Sequence, residues 1–445
     1  MDGKNTMVSR IVRSETEKVY MEVDGKPFLY QAVQSWYPPE KDYSIYIQKA
    51  VEVHYKVFSF WLYWRHIEPT PGNYEWAELE KVIILAEKHN IRLDIVWGGS
   101  NFCGQVDSRF APDWLLNGHE FHVRGKDGEC VILPGGDMGD VHIADCRNRQ
   151  LMDNEKNAVQ MLMNYLKERD ISHRVIAIQV ENEINMKDYT GGKPYILKYV
   201  NEIGRVVKES GYEIVTRANI FALEMDPELD CLEYIDGHGC DTYNWDVGFT
   251  RRVILSPYNT KLKYIAENAA FRNSTAHMVA ALANGGFYNV YKLDFDSIWE
   301  KPGVYKEGFL PWEVTYEIAN LNEALNKIAE LIAVSDKIMM AEFNTETCEP
   351  KAEYYRVQLL GGRKIGFTCN GNGAVGLATV KGKEYYLVAD KKAIFYFYQT
   401  PVRCEAGEME ESGEWVASSC RKSLKADDGS ICFDYNPGEC LNVVF

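Results

Sequence analysis

Two glutamates lie at the ends of short apolar stretches: Glu183 closes the segment Glu181-Asn182-Glu183 that follows VIAIQV, and Glu267 follows YIA in YIAENAA. A buried carboxylate costs free energy unless it is paired, so two such placements call for a chemical reason. Cleavage of a glycosidic bond supplies one, because it needs a carboxyl that protonates the leaving oxygen and a second carboxyl that acts on the other side of the sugar. For either glutamate taken alone, the alternative is that it begins a solvent-exposed loop and has no chemical role.

The reaction that such a pair performs depends on the distance between the two carboxyls. A separation of about 5–5.5 Å gives a retaining double displacement, whereas roughly 6.5–9.5 Å gives inversion. Glu183 fits the proton donor, and Asn182 beside it offers an amide that can bind a sugar hydroxyl. Both glutamates can act on one bond only if the fold brings the ends of their strands to the same place.

Short apolar runs alternate with longer amphipathic segments in the part of the chain that holds both glutamates. This alternation predicts βα units and a parallel sheet. Several runs, such as VIAIQV, are almost continuously apolar, as strands buried on both faces are. The predicted strands are Phe28–Gln34, Val57–Tyr63, Arg92–Trp97, Val175–Val180, Glu213–Ala218, Tyr234–His238, Tyr264–Ala266 and Phe287–Tyr291.

Apolar residues at helical spacing predict the helices between these strands. The clearest are Trp76–Lys88, Asn157–Arg169, Pro194–Ser210, Ser274–Ala283 and Glu313–Val334. Eight strands with intervening helices close as a (β/α)8 TIM barrel of the α/β class, in which active sites lie at the C-terminal ends of the strands. An open doubly wound sheet is the alternative fold, although no glycine-rich phosphate turn opens the first βα unit.

The sequence pattern changes after the last predicted helix. From about Ser335 onward, short alternating runs such as KIGFTC and EYYLVA are separated by the turns GGRK, NGNG, VKGKE and ADDGS. This pattern predicts a smaller antiparallel β-sandwich. We therefore expect a barrel domain over residues 1–335 and a β-sandwich domain over 336–445, with Glu342 and Glu346 near their junction.

Composition and charge exclude several classes of function. The formal net charge is −16, which disfavours nucleic acid and anionic membrane surfaces as partners. The eleven cysteines are irregularly spaced without a CxxC, and Cys130, His142 and Cys146 fit no zinc pattern, so no disulfide framework, metal or cofactor is expected. The chain begins without an apolar leader, and we expect a cytoplasmic protein. Its expected partner is a small glycoside or oligosaccharide as substrate. The sequence leaves the formation of homo-oligomers open.

Several motifs resemble barrel glycosidases of clan A, especially the β-galactosidases of glycoside hydrolase families 35 and 42. The resemblance covers nearly the whole chain, including a C-terminal β domain that is uncharacterised in those relatives. The similar segments are QVENE at Gln179–Glu183, FWLYWRHIEPTPGNYEW at Phe60–Trp76, DIVWGGSNFCGQVDSRFAPDWL at Asp94–Leu115, AEFNTE at Ala341–Glu346 and YYRVQL at Tyr354–Leu359. QVENE and IEPTPG are specific for the clan and only suggestive for galactose.

The resemblance implies a retaining exo-β-glycosidase, first of all a β-galactosidase. It matches Glu183 to the acid/base, Asn182 to the amide that precedes it, and Glu267 to the nucleophile on the seventh strand. Related activities on glucosides, mannosides or xylosides stay open, as does a carbohydrate-binding barrel that has lost catalysis.

Further residues near strand ends are candidates for sugar contacts. An aromatic after the sixth strand often hydrogen-bonds the nucleophile in the clan, which the resemblance carries to Tyr243. Packing is the alternative for each candidate, and it is the expected role of His66 and His238. The candidates are Glu181, Trp64, Arg65, Trp97, Asn101 and Tyr243, with one of Tyr291, Asp294 and Asp296 as a weaker choice.

Overall fold

The computed structural model of the protein describes residues 8–35, 43–100, 110–116, 120–133, 141–184, 193–220, 225–241, 246–269, 274–291, 312–343, 358–369 and 374–445. No helix within these ranges is long and apolar enough to cross a membrane.

Eight parallel strands close into a barrel, which confirms the predicted fold class. We number them one to eight in chain order. Each pairs with the next, and strand eight pairs with strand one to close the sheet. The barrel strands are Gln31–Ser35, Val57–Tyr63, Arg92–Gly98, Val175–Gln179, Val215–Ile220, Gly237–Asp241, Leu262–Ala269 and Phe287–Tyr291.

Six of the eight predicted strands have different bounds in the structure, and only the second and the eighth agree at both ends. Barrel strand one begins at Gln31, because Lys26–Phe28 pairs antiparallel with Val19–Val23 instead. Barrel strand six begins at Gly237 and not at Tyr234. Glycine is depleted in strands generally, but here it is required, because a β-carbon on Gly239 would lie 2.6 Å from the carbonyl oxygen of Tyr264.

Amphipathic helices surround the barrel. Arg149–Arg169 is longer than predicted, because Asn148 caps it by accepting a hydrogen bond from Leu151 N. The helix predicted over Glu313–Val334 is two helices, and the break falls where Asn326 and Lys327 donate to carbonyl oxygens elsewhere in the chain. The helices described are Tyr43–Glu52, Trp64–Ile67, Ala77–His89, Asp113–Leu116, Arg149–Arg169, Lys193–Glu209, Pro227–Asp230, Val247–Ile254, Ser274–Ala283, Trp312–Asn326 and Ala329–Val334.

A small antiparallel sheet lies at the N-terminal ends of the barrel strands. Ser9 N donates to the carbonyl of Glu213, and Asp24 accepts from Arg92 at 2.8 Å and contacts His173 at 2.7 Å. The sheet therefore lies opposite the barrel mouth and contributes nothing to it. Its strands are Ser9–Arg13, Val19–Val23 and Lys26–Phe28, and a two-stranded sheet elsewhere joins Ile132–Leu133 to Val141–His142.

The C-terminal part forms two antiparallel sheets, as the turn pattern predicts. The inner strands of the six-stranded sheet are buried on both faces: Tyr386 belongs to the barrel core, whereas Tyr385 packs with the second sheet. The six strands are Ile338–Phe343, Ala374–Lys381, Glu384–Ala389, Leu441–Val444, Arg403–Met409 and Trp415–Cys420. The five-stranded sheet contains Gln358–Leu360, Arg363–Thr368, Ala393–Phe397, Ile431–Tyr435 and Leu424–Lys425.

Hydrogen bonds also join the sandwich to the barrel. Thr275, in the first turn of the helix after barrel strand seven, donates to Asp390 Oδ2 at 2.9 Å. Asp390 Oδ1 accepts from Val375 N at 3.0 Å, so this one carboxylate ties the two parts together. The division of the chain at residues 335 and 336 stays a prediction, and the antiparallel strands begin at Ile338.

Candidate active site

Three acidic side chains lie at the C-terminal ends of barrel strands. Glu183 follows strand four, Glu267 lies near the end of strand seven, and Asp241 is the last residue of strand six. All three are at most 4% exposed, and their charges act on one another. The structure thus brings the two predicted glutamates together and adds a third carboxyl.

Glu183 is held in an uncommon backbone conformation. Its φ is +45°, in the left-handed region that side chains other than glycine rarely adopt. Its backbone N–H donates to Asn219 Oδ1 at 2.7 Å, which supports this geometry from the end of barrel strand five. Such conformations persist where the surroundings over-determine them, and they cluster at functional sites.

The environment of Glu183 favours its protonated form. Burial, and next the charge of Glu267, raise the pKa of Glu183 to about 8, against a smaller lowering by a hydrogen bond with Asp241. Its Oε2 is buried and accepts no hydrogen bond from the described residues. Because a bare carboxylate oxygen away from water is costly, the protonated form of Glu183 is the favoured one at neutral pH.

Glu267 sits in a different environment. Gln34 Nε2 donates to Glu267 Oε1 at 2.5 Å. The orientation of this amide is fixed from its other side, since Gln34 Oε1 accepts from Asn289 Nδ2 at 3.1 Å. A hydrogen bond donated to a carboxylate favours its charged form, and the charge of Glu267 is in turn one of the causes that raise the pKa of Glu183.

A polar network inside the barrel supports these residues from below. At its centre a buried ion pair joins Arg217 and Asp94 at 2.6 Å. Arg217 Nη1 also donates to Gln179 Oε1, and this leaves Gln179 Nε2 free to donate to Asn182 Oδ1 at 2.8 Å and to Asn219 Oδ1 at 3.1 Å. Barrel interiors are usually filled by branched apolar side chains, so the polar interior here serves to orient the residues at the mouth.

Sequence reasoning missed Asp241 and the network. Asp241 lies in DTYNW, where the resemblance assigns a role to Tyr243 and none to the aspartate. The signal that could have found the others is one polar residue in an otherwise apolar strand, as with Gln179 in VIAIQV. The inward-facing polar residues are Gln34, Ser59, Asp94, Gln179, Arg217, Asn219 and Asn289.

The described candidates for sugar contacts are held by other protein groups. Trp64 and Trp97 are fully buried, and their indole nitrogens donate to Glu68 Oε2 at 2.7 Å and to Glu155 Oε1 at 2.9 Å. Arg65 is half-buried, with its guanidinium 5.5 Å from the centre of the Tyr63 ring. Their contacts with a sugar therefore stay predictions.

Glu181 points into the protein interior. It is buried and accepts from Asn182 N at 3.0 Å, and burial, with the nearby charge of Glu155, raises its pKa well above the ordinary range. Burial likewise lowers the pKa of His238 to about 4, which fits its expected packing role. Asn101, Tyr243, Asp294, Asp296, Glu346 and the side chains of His142, Tyr291 and Glu342 lie outside the described residues.

No group of three or more His, Cys, Asp or Glu within the described ranges is arranged to hold a metal ion.

Comparisons with known proteins give similarity at the level of solved structures. No protein-family model and no curated protein sequence matches the chain. A GH30 endoxylanase from Clostridium papyrosolvens is similar over 94% of this chain and 97% of its own, with 11% identity and a TM-score of 0.46. A family 39 glycoside hydrolase from Bacteroides cellulosilyticus covers 96% of this chain and 84% of its own, with 13% identity and a TM-score of 0.48. A β-galactosidase from the psychrophilic Marinomonas covers 69% and 61%, with 11% identity and a TM-score of 0.48.

Proposed function

We propose that this protein is a retaining β-glycosidase in which Glu183 is the acid/base and Glu267 the nucleophile. The observation that carries the proposal is the contrast between the two carboxyls. Glu183 is kept protonated by burial and by the charge of Glu267, whereas Glu267 accepts a fixed hydrogen bond from Gln34. Two neighbouring carboxyls held in opposite protonation states are what the double displacement requires.

In the first step Glu183 gives its proton to the glycosidic oxygen while Glu267 attacks the anomeric carbon. The bond to the leaving group breaks with the electron pair on its oxygen, and a covalent glycosyl ester forms on Glu267. In the second step Glu183, now ionised, takes a proton from water. That water attacks the anomeric carbon and releases Glu267 as a carboxylate.

The structure offers a physical reason why Glu183 can change roles between the steps. The charge of Glu267 is one of the two causes that raise the pKa of Glu183. Once Glu267 carries the sugar as a neutral ester, that charge is gone and the pKa of Glu183 falls. Glu183 is then better suited to remain ionised and act as a base.

The finer assignment is an exo-acting β-galactosidase that works on short oligosaccharides in the cytoplasm. It rests on the resemblance of QVENE and IEPTPG to the clan A β-galactosidases. Glucosides, mannosides and xylosides are the alternative substrates.

The test is hydrolysis of a panel of nitrophenyl β-glycosides (galactoside, glucoside, mannoside and xyloside), with the first product anomer identified by NMR. We expect the β-galactoside to react fastest and the β-anomer of the free sugar to appear first. The Glu183→Gln/Glu267→Gln double variant is the background control. An α-anomer as first product would overturn the retaining mechanism, and no hydrolysis of any glycoside would overturn the enzymatic function.

A further inference from the structure

A β-bulge places a third carboxyl beside the nucleophile. Barrel strands six and seven pair Cys240 with Ile265, but the next pair is Asp241 with Glu267, because the register shifts between Cys240 and Asp241. Without this shift Asp241 would come opposite Ala266. Bulges re-aim side chains and are common next to active sites, and this one sets two acidic residues side by side.

Asp241 is also joined to the proton donor. Asn219 Nδ2 donates to Asp241 Oδ2 at 2.8 Å, and Asn219 Oδ1 accepts from the backbone N–H of Glu183 at 2.7 Å. One amide therefore links the backbone of Glu183 to the side chain of Asp241. The carboxyls of Asp241 and Glu183 also influence each other's protonation, since a hydrogen bond between them lowers the pKa of Glu183 and raises that of Asp241.

Two carboxyls can share a hydrogen bond only if one of them carries a proton. Asp241 Oδ1 is buried and accepts no hydrogen bond from an amide or hydroxyl group of the described residues, and no basic side chain of that part of the chain neutralises Asp241. Burial, then the charges of Glu267 and Glu183, hold the pKa of Asp241 well above its ordinary range. The neutral form of Asp241 is thus the stable one at neutral pH.

We propose that Asp241 is a positioning residue of the active site, a neutral carboxyl that donates a hydrogen bond to Glu183 and so holds the proton donor beside the nucleophile. This inference rests on the proposed glycosidase function. The hydrogen bond is strongest when Glu183 is ionised, which is its state after it has protonated the leaving group. Asp241 therefore stabilises Glu183 as a base in the second step, and no net proton moves to or from Asp241.

The other titratable groups that face this cluster stay protonated. Burial is the main cause that raises the pKa of Tyr264 and of Cys240, with the charge of Asp241 as a smaller cause in each. Neither Tyr264 nor Cys240 is therefore expected to contribute a titration near neutrality to the pH profile of activity.

The experiment compares the pH profiles of kcat/KM for the wild type, Asp241→Asn and Asp241→Ala on the nitrophenyl glycoside that the wild type hydrolyses fastest. The hydrogen bond from Asp241 lowers the pKa of Glu183. Asp241→Ala removes this bond, so the basic limb of the profile should move to higher pH and kcat should fall about tenfold. Asp241→Asn keeps a donor at the same place and should leave the limb where it is.

Two outcomes would overturn the proposal. If Asp241 is ionised in the wild type, Asp241→Asn removes a negative charge next to Glu183 and moves the basic limb to lower pH. If Asp241 is merely structural, both variants lose activity and thermal stability while the limb stays in place. Should Asp241→Ala not fold, the direction of the limb in Asp241→Asn still decides between a neutral and an ionised Asp241.

A second measurement separates this inference from the proposed function. The carboxyl ¹³C signal of Asp241, assigned by its loss in Asp241→Asn, can be followed by NMR as a function of pH without any substrate. We expect no titration below neutral pH, whereas a midpoint near the ordinary value of about 4 would refute a neutral Asp241. Inactivity of the wild type on every glycoside would refute only the enzymatic function.

Discussion

At the residue scale, the site places identical carboxyl groups in different surroundings. Glu183 is buried with a bare oxygen, whereas Glu267 is reached by an amide whose orientation Asn289 fixes. Two such glutamates at strand ends could be predicted from the sequence, because each breaks an apolar run. Gln34 and Asp241 could not, because their roles depend on barrel closure and on a register shift that no local pattern records.

Replacement of the proton donor should affect substrates according to their leaving groups. In Glu183→Gln a natural glycoside should lose about 10²–10⁴-fold in kcat/KM, since its leaving oxygen needs the proton. A dinitrophenyl glycoside needs little protonation and should lose far less. The exposed Glu233→Gln is the control, and equal losses on both substrates would count against the acid role.

The pH profile of the wild type should report the same group. Glu183 must be protonated for the first step, so kcat/KM should fall as pH rises above about 8. Glu183→Gln should lack this basic limb, and a limb that persists in the variant would assign the titration to another residue.

At the scale of elements, the helix Ser274–Ala283 connects barrel strand seven, which carries Glu267, to the sandwich. It follows barrel strand seven, and Thr275 in its first turn donates to Asp390. The sequence predicted this helix correctly, because the helix depends mainly on the residues within it. The hydrogen bonds of Asp390 join residues far apart in the chain, so no periodicity of the sequence could predict them.

Asp390 should make the stability of the protein depend on pH. Burial raises its pKa to about 7 from an ordinary value of 3.8. The folded state then binds a proton that the unfolded state releases. The contribution of Asp390 to the free energy of unfolding is therefore fully present below pH 3.8 and is lost as pH rises to about 7. Asp390→Asn should remove this loss, which amounts to ~1.4 kcal/mol for each pH unit at most.

The measurement is the free energy of unfolding in denaturant from pH 4 to pH 8. The free energy of unfolding of Asp390→Asn minus that of the wild type should increase through this range. A constant loss is superimposed on this increase, because asparagine cannot accept one of the two hydrogen bonds. The exposed Asp427→Asn is the matched control. A difference that does not change with pH would show that Asp390 is ionised throughout.

At the scale of the whole molecule, one apolar core runs from the barrel into the six-stranded sheet. Leu377, Tyr386 and Val388 belong to the same buried cluster as the barrel residues, whereas Ala378 and Leu387 face the second sheet. The sequence predicted an antiparallel β unit but not its burial on both faces. Runs such as EYYLVA are apolar at successive positions because both faces are covered.

The barrel and the sandwich should therefore unfold together. Leu377→Ala, on the face toward the barrel, and Leu387→Ala, inside the sandwich, should each cost about 2–5 kcal/mol and lower the same single calorimetric transition. Thermal loss of activity should follow that transition in both variants. A chain that ends at Ser335 should be insoluble or destabilised, and a soluble truncation with full activity would contradict a shared core.

The doubly buried sheet also constrains how this architecture can change over evolution. Recombination between genes succeeds where a cut separates parts that each keep their own interior. Here a cut after the last barrel helix would expose the apolar surfaces by which the barrel helices and the six-stranded sheet pack against each other. Any exchange of the C-terminal part between relatives must preserve the side chains on both sides of the contact between barrel and sandwich. The two parts are therefore expected to evolve together.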